Sequence, residues 1–375
     1  MTTWSRRGFI TLTVAAAAAA CAPPADALPG ESVAGNERSL DYIARGRGLR
    51  FGSAMAYRQL TDPGYCGLMR AQCGILVTEN ELKWPQVEPA AGSFTFERGD
   101  ALARFAAESH LLLRGHNLLW QKSKYLPEWV RQYPLGSQPR AALERLLREH
   151  VTQEIRHYPQ VVSWDVVNET ISTDTGDIRD TVFTRHLGSE AIDLCYHAAR
   201  AAAPHAELVY NDYMSWESNS AVHRDGVLRF LEGLRKRKVP VDALGLQSHI
   251  GAKSDSTHAP PQEAAWRRFL DEVTGMGYGL LITELDVNDG GFPTETARRD
   301  RAVADYARRY LDVTLSHRQL KHVLTWGLVD KDSWLQRLSP RRDGTPRRPL
   351  PFDPDYHPTP LYFAMAEAFR AAPRR

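Results

Sequence analysis

Cysteine is scarce in this 375-residue chain, with four in all. One, Cys21, sits in an alanine-rich leader, so Cys66, Cys73 and Cys195 remain for the folded part. An odd number, with no metal-ligand spacing, argues against a disulfide framework and a zinc cluster. On one helix Cys66 and Cys73 would lie about 10 Å apart, beyond disulfide reach. Buried free thiols are therefore expected. An excess of charge is lacking too: a net +2 leaves no footprint for nucleic acid or an anionic membrane, and neither partner is expected. No Gly-rich fingerprint for a dinucleotide follows an early apolar run. There is no His-x-His pair, no internal repeat and no linker that would mark a second folded domain.

What is present begins with the leader. "WSRRGFITLTVAAAAAACAPPADA" places Arg6 and Arg7 before an apolar run that ends in small residues. This is the layout of a Tat-like export signal over residues 1–27. The apolar run is too short for a comfortable membrane span. No stable membrane insertion is expected after cleavage, and the product would be periplasmic or secreted. Cys21 offers a lipid-anchor alternative. Residues 28–375 then form one domain with a short polar lead.

Apolar runs recur along that domain near 51–56, 73–78, 111–116, 161–168, 207–212, 243–249, 280–286 and 322–329. Between them lie amphipathic stretches such as 141–158 and 300–315. Strand and helix alternating eight times predict an α/β fold, a single (β/α)8 TIM barrel. A doubly wound open sheet is the alternative.

The polar residues at the ends of these runs carry the chemistry. They are Glu79, Asn80 and Lys83; His116 and Trp120; Asn168 and Glu169; Gln247 and His249; Glu284 and Asp286; Trp326 and Trp334. In a barrel the strand ends converge on one face, where active sites of this fold sit. Any one of these groups alone reads as a helix-start residue or as core. Together, two carboxylates with several tryptophans suit cleavage of a glycosidic bond: aromatic faces stack on sugars, and two carboxyls supply the acid–base and nucleophilic steps. No metal or other cofactor is expected.

The stretches "TENELKWPQVEP", "RGHNLLW", "WDVVNE", "YNDY", "LGLQSHI", "ITELDV", "TWGLVDKDSW" and "LPFDPDYHPTPLY" run in this order from Phe51 to Tyr362. In this respect the chain resembles the endo-β-1,4-xylanases of glycoside hydrolase family ten. The resemblance implies a retaining double displacement on internal bonds of xylan and xylo-oligosaccharides, by a catalytic domain expected to be a monomer. It implies Glu169 as general acid/base and Glu284 as nucleophile. Asn168 would hold the 2-hydroxyl of the sugar being cleaved, and His249, backed by Asp286, would orient Glu284. Glu79, Asn80, Lys83, His116 and Gln247 would bind hydroxyls on the non-reducing side, walled by Trp120, Trp326 and Trp334. A β-1,4-glucan glycosidase and a non-catalytic carbohydrate-binding barrel remain as alternatives.

The sequence departs from the family in four places. Gln121 stands where the family has His, and the loop "WQKSKYLP" is two residues longer than usual. Met214 replaces a residue expected to reach the substrate on the reducing side. The basic stretch 339–349 reads either as a solvated loop or as a contact for acidic side groups of xylan.

Overall fold

Valine, isoleucine and leucine fill short runs such as Ile75–Thr78 and Val161–Asn168, and runs of this kind pair best when both faces are covered. In the computed structural model they do so as parallel strands. The structure describes residues 39–251 and 259–375, so the export signal, its cleavage site and Cys21 lie outside the described residues. The strands are β1 (Arg50–Met55), β2 (Ile75–Thr78), β3 (Leu112–Trp120), β4 (Val161–Asn168), β5 (Glu207–Asp212), β6 (Ala243–Leu246), β7 (His249–Gly251), β8 (Gly279–Asn288) and β9 (Leu320–Thr325). Neighbours follow chain order, β9 pairs with β1, and β6 pairs with β8, which closes the barrel.

Among the described residues nine strands make eight staves, because the sixth is broken. The sequence suggests one strand over 243–249; the structure interrupts it at Gln247 and Ser248. Ser248 takes a left-handed conformation, φ 62°. Its hydroxyl meets Leu246 O at 3.1 Å and Tyr310 Oη at 2.7 Å. Leu246 pairs with Ile282, yet His249 pairs with Asp286, so three steps along one strand match four along β8. Gln247 and His249 both end up lining the cleft at the barrel mouth. The third strand runs to Trp120, four residues beyond its expected end, and the last stops at Thr325, leaving Trp326 in the following loop.

Period-two alternation sorts each strand's side chains. Leu76 faces the large cluster under the helices, whereas Ile75 and Val77 join Ala54 and Leu324 inside the barrel. A second inner group is Val209, Ala243 and Leu281. Each aliphatic side chain buried this way contributes about 1.5–3 kcal/mol. The two amphipathic stretches form the helices Pro139–His157 and Thr296–Thr314. The first starts with proline, whose missing N–H costs nothing there. The second is capped by Glu295, which accepts from Ala297 N and Arg298 N. Cys66, Cys73 and Cys195 are free and buried, and burial pushes the Cys195 thiol up to about 12.

Candidate active site

All thirteen residues singled out above line one cleft of about 1190 Å³ at the C-terminal end of the strands. Its floor is polar. Inside the barrel, Arg114 Nη2 donates to Asp165 Oδ1 at 2.6 Å, and Asp165 Oδ2 meets His116 Nδ1 at 2.9 Å. Both members of that ion pair are buried, so each needs the other. The result fixes His116 from beneath.

Glu284 lies within β8 beside a register shift between Ile282 and Leu285. Its Oε1 accepts from Asn211 Nδ2 at 2.7 Å, and its Oε2 lies 3.2 Å from His249 Nε2. His249 Nδ1 in turn lies 2.9 Å from Asp286 Oδ2, which also accepts from Trp334 Nε1 at 2.7 Å. Burial works against charge on His249, but Asp286 and Glu284 outweigh it and raise its pKa to about 10. An imidazolium therefore stands between two carboxylates. Burial also works against charge on Glu284; the His249 hydrogen bond and the charges of His116, His249 and Lys83 prevail and lower it to about 2.

Glu169 follows β4 in a left-handed conformation, φ 54°, which costs a non-glycine residue about 1–2 kcal/mol. Its backbone is held on both sides: the N–H donates to Asn211 O at 2.9 Å, and the carbonyl accepts from Arg179 Nε at 3.0 Å. Gln247 Nε2 donates to its Oε1 at 3.1 Å, and Lys122 Nζ pairs with its Oε2. The Asn168 amide reaches Asn211 Nδ2 at 2.9 Å and Gln247 Nε2 at 3.3 Å. One run of amides thus links the two carboxylates.

At the β2 end, Asn80 bridges Glu79 and Lys83, at 3.1 and 2.8 Å. Burial lowers the pKa of Lys83, against the pull of Glu284, Glu79 and Glu169. Its ammonium stands 4.7 Å from the Trp120 ring and 5.7 Å from that of Trp326. Trp120 stacks on Tyr125 at 3.6 Å, and Trp334 meets His249 edge-on at 5.2 Å.

Comparison with known proteins completes this picture. The profile of glycosyl hydrolase family 10 matches residues 39–368. The chain belongs to that family. Endo-1,4-beta-xylanase D of Talaromyces funiculosus is 31% identical over 334 residues, covering 88% of this chain and 77% of that protein. Native xylanase 10B of Thermotoga maritima superposes with a TM-score of 0.78 at 29% identity, covering 88% of this chain and 98% of that one. The xylanase 10B of Thermotoga petrophila RKU-1, solved with xylobiose, gives 0.78 at 29% identity over 88% and 97%.

Within this family setting the departures find their places, and the reading of one of them, the basic stretch, needs correction. Met214 is buried in the hydrophobic core and does not line the cleft. The basic stretch 339–349 does not line the cleft, and three of its four arginines are taken up by internal ion pairs. Arg347 Nη1 pairs with buried Asp289 at 3.0 Å, Arg341 Nη2 with Asp343 at 2.8 Å and Arg348 Nε with Asp300 at 2.6 Å. Of its four arginines only Arg342 is exposed. Gln121 is buried too, its Oε1 accepting from Thr181 Oγ1 at 3.0 Å, and it lies outside the main cleft.

Sequence reasoning gave no role to three groups that hold the two glutamates: Asn211 at the Glu284 carboxylate, Lys122 at that of Glu169, and Arg179 at the Glu169 backbone carbonyl. Asn211 stood in plain view in "YNDY". Lys122 had one signal, its place in the lengthened loop. Among the described residues the group spaced to hold a cation is Asp353, Asp355 and His357, and none of these lines the cleft.

Proposed function

We propose that this chain hydrolyses internal β-1,4 bonds of xylan with retention of configuration. Membership of the family and the xylanase names of its relatives support the substrate class. The observation that carries the mechanism is the asymmetry between the two carboxylates. Glu284 is held ionised by His249, Asn211 and the charges beneath it. Glu169 sits between an amide donor and a lysine, at the other end of the amide run.

Glu284 attacks the anomeric carbon while Glu169 gives its proton to the departing oxygen. Water then enters, Glu169 takes its proton, and the bond to Glu284 breaks. His249 remains an imidazolium through both steps and returns the same hydrogen bond to Glu284 each time. Asn168, tied to both carboxylates through Asn211 and Gln247, is placed to meet the hydroxyl next to the reacting carbon. Proton NMR of the first product from a xylo-oligosaccharide tests the reading. A β-anomer appearing before mutarotation is the expected result, and an α-anomer refutes it. Faster hydrolysis of carboxymethylcellulose than of xylan would refute the substrate.

We further infer that residues 1–27 direct export. A polymer such as xylan cannot cross a bacterial inner membrane, so an enzyme acting on it must leave the cytoplasm.

A further inference from the structure

Beside the main cleft lies a second cavity of about 660 Å³. Lys122, Lys124 and Tyr213 line both spaces, so the two meet there, next to Glu169. Its charged lining is Lys122, Lys124, Arg179 and Asp180, three cations against one acid. The acid is already engaged, since Asp180 Oδ1 accepts from Arg185 Nε at 2.9 Å. Among the described residues neither Lys124 nor Arg179 has a carboxylate partner. Arg179 donates Nη2 to Tyr213 Oη at 2.7 Å, and its Nε goes to the Glu169 carbonyl. Lys124 stands 4.6 Å from the Tyr125 ring.

Lys122 is the pivot. Its ammonium contacts Glu169 Oε2 and lies 4.5 Å from the Tyr213 ring. Burial lowers its pKa, but Glu169 more than restores it and the net shift is upward. The ion pair cannot persist through catalysis. When Glu169 carries the proton destined for the leaving sugar, Lys122 loses its counter-charge. A leaving sugar protonated by Glu169 would lie against that same carboxyl, so a branch directed to the Lys122 side would enter this cavity.

We propose that the side cavity is a subsite for a carboxylate carried on the leaving-group sugar, such as a uronic acid branch of xylan, anchored by Lys122, Lys124 and Arg179. The proposal rests on the xylanase reading above. It moves recognition of acidic branches away from the 339–349 stretch, whose arginines are mostly consumed by internal ion pairs. Both lysines come from the loop that is longer here than is usual in the family. The bound carboxylate would supply Lys122 with a counter-charge whenever Glu169 is protonated, so binding and readiness for acid catalysis would favour each other.

Three substrates test it: an unbranched xylo-oligosaccharide, the same chain with one glucuronic acid branch on a leaving-group sugar, and that branched chain with its carboxyl reduced to the alcohol. The readout is the ratio of kcat/KM between acid-branched and reduced-branch substrates, in which general damage to the enzyme cancels. The wild type should give a ratio above one that falls with salt, since exposed charges are screened over about 10 Å at 0.1 M. Lys124→Ser should lower the ratio about two- to fivefold, the range for an exposed ion pair, and Lys124→Arg should retain it. Lys122→Met should lower it by about tenfold, because that charge is partly buried. A wild-type ratio of one or less, or a ratio that neither variant changes, overturns the subsite. Failure of the wild type on the unbranched substrate would instead sink the xylanase reading.

Discussion

Replacing His249 with Gln separates charge from hydrogen bonding at Glu284, the proposed nucleophile. A glutamine amide can still donate to Glu284, but it brings no positive charge. In the native protein the Glu284 pKa is lowered from 4.5 to about 2 against the opposing effect of burial. At 1.36 kcal/mol per unit, that interval is about 3 kcal/mol of preference for the ionised form. The stabilising contributions are the His249 hydrogen bond and the charges of His116, His249 and Lys83. Glutamine keeps the hydrogen bond, so of these four only the His249 charge is lost, and a part of the interval should return. The acid limb of kcat/KM, assayed by brief exposure to each pH, should move up by roughly half a unit to one unit, to about pH 3. Stability gives a second readout with opposite signs for the two groups. The lowered carboxylate contributes stability that is present above pH 4.5 and lost as pH falls through about 2. The raised imidazole contributes stability that is full below pH 6.5 and lost as pH rises through about 10. The variant should therefore lack the wild-type decline in unfolding temperature between pH 6.5 and 10. An acid limb that stays in place, together with an unchanged alkaline decline, would refute the electrostatic account of Glu284.

Other outcomes follow from the same geometry. Glu284→Ala should abolish turnover of every xylan substrate, whereas Glu169→Ala should lose least on activated aryl xylosides and give a β-azide when azide is added; an α-azide would reverse the assignment. Arg347→Met removes a charge from buried Asp289 and should destabilise by about 3 kcal/mol, read as a shift in denaturation midpoint. Exposed Arg342→Met should change it by less than about 0.5 kcal/mol, and equal effects would contradict the buried ion-pair description. Changing Arg6 and Arg7 to Lys should leave the precursor in the cytoplasm, by fractionation and immunoblot; normal export would eliminate the Tat assignment.

The barrel was legible because strands covered on both faces leave an unmistakable mark: eight apolar runs at spacings that leave room for helices. The cleft was legible because its side chains sit at fixed places relative to those runs. Ser248 was not, since a left-handed serine depends on Tyr310 and Leu246, partners that no local pattern announces. The 339–349 stretch failed for a similar reason. Its arginines look exposed until Asp289 and Asp300, some fifty residues earlier, are brought beneath them. Met214, read from its place in a motif as a lost substrate contact, is buried in the core and does not line the cleft. Lys122 escaped because a loop has no period: its reach to Glu169 is set by how the segment after Trp120 folds over the cleft.

Trp334 has a consequence for anyone redesigning this enzyme. It belongs to the rim, where variation in a barrel is usually tolerated, yet its indole N–H holds Asp286, which holds His249, which holds Glu284. Grip and reactivity are therefore not separable modules here. Exchanging the 331–338 segment to admit a new sugar would also retune Glu284. Libraries built on that segment should show shifts in pH optimum wherever they show shifts in substrate choice.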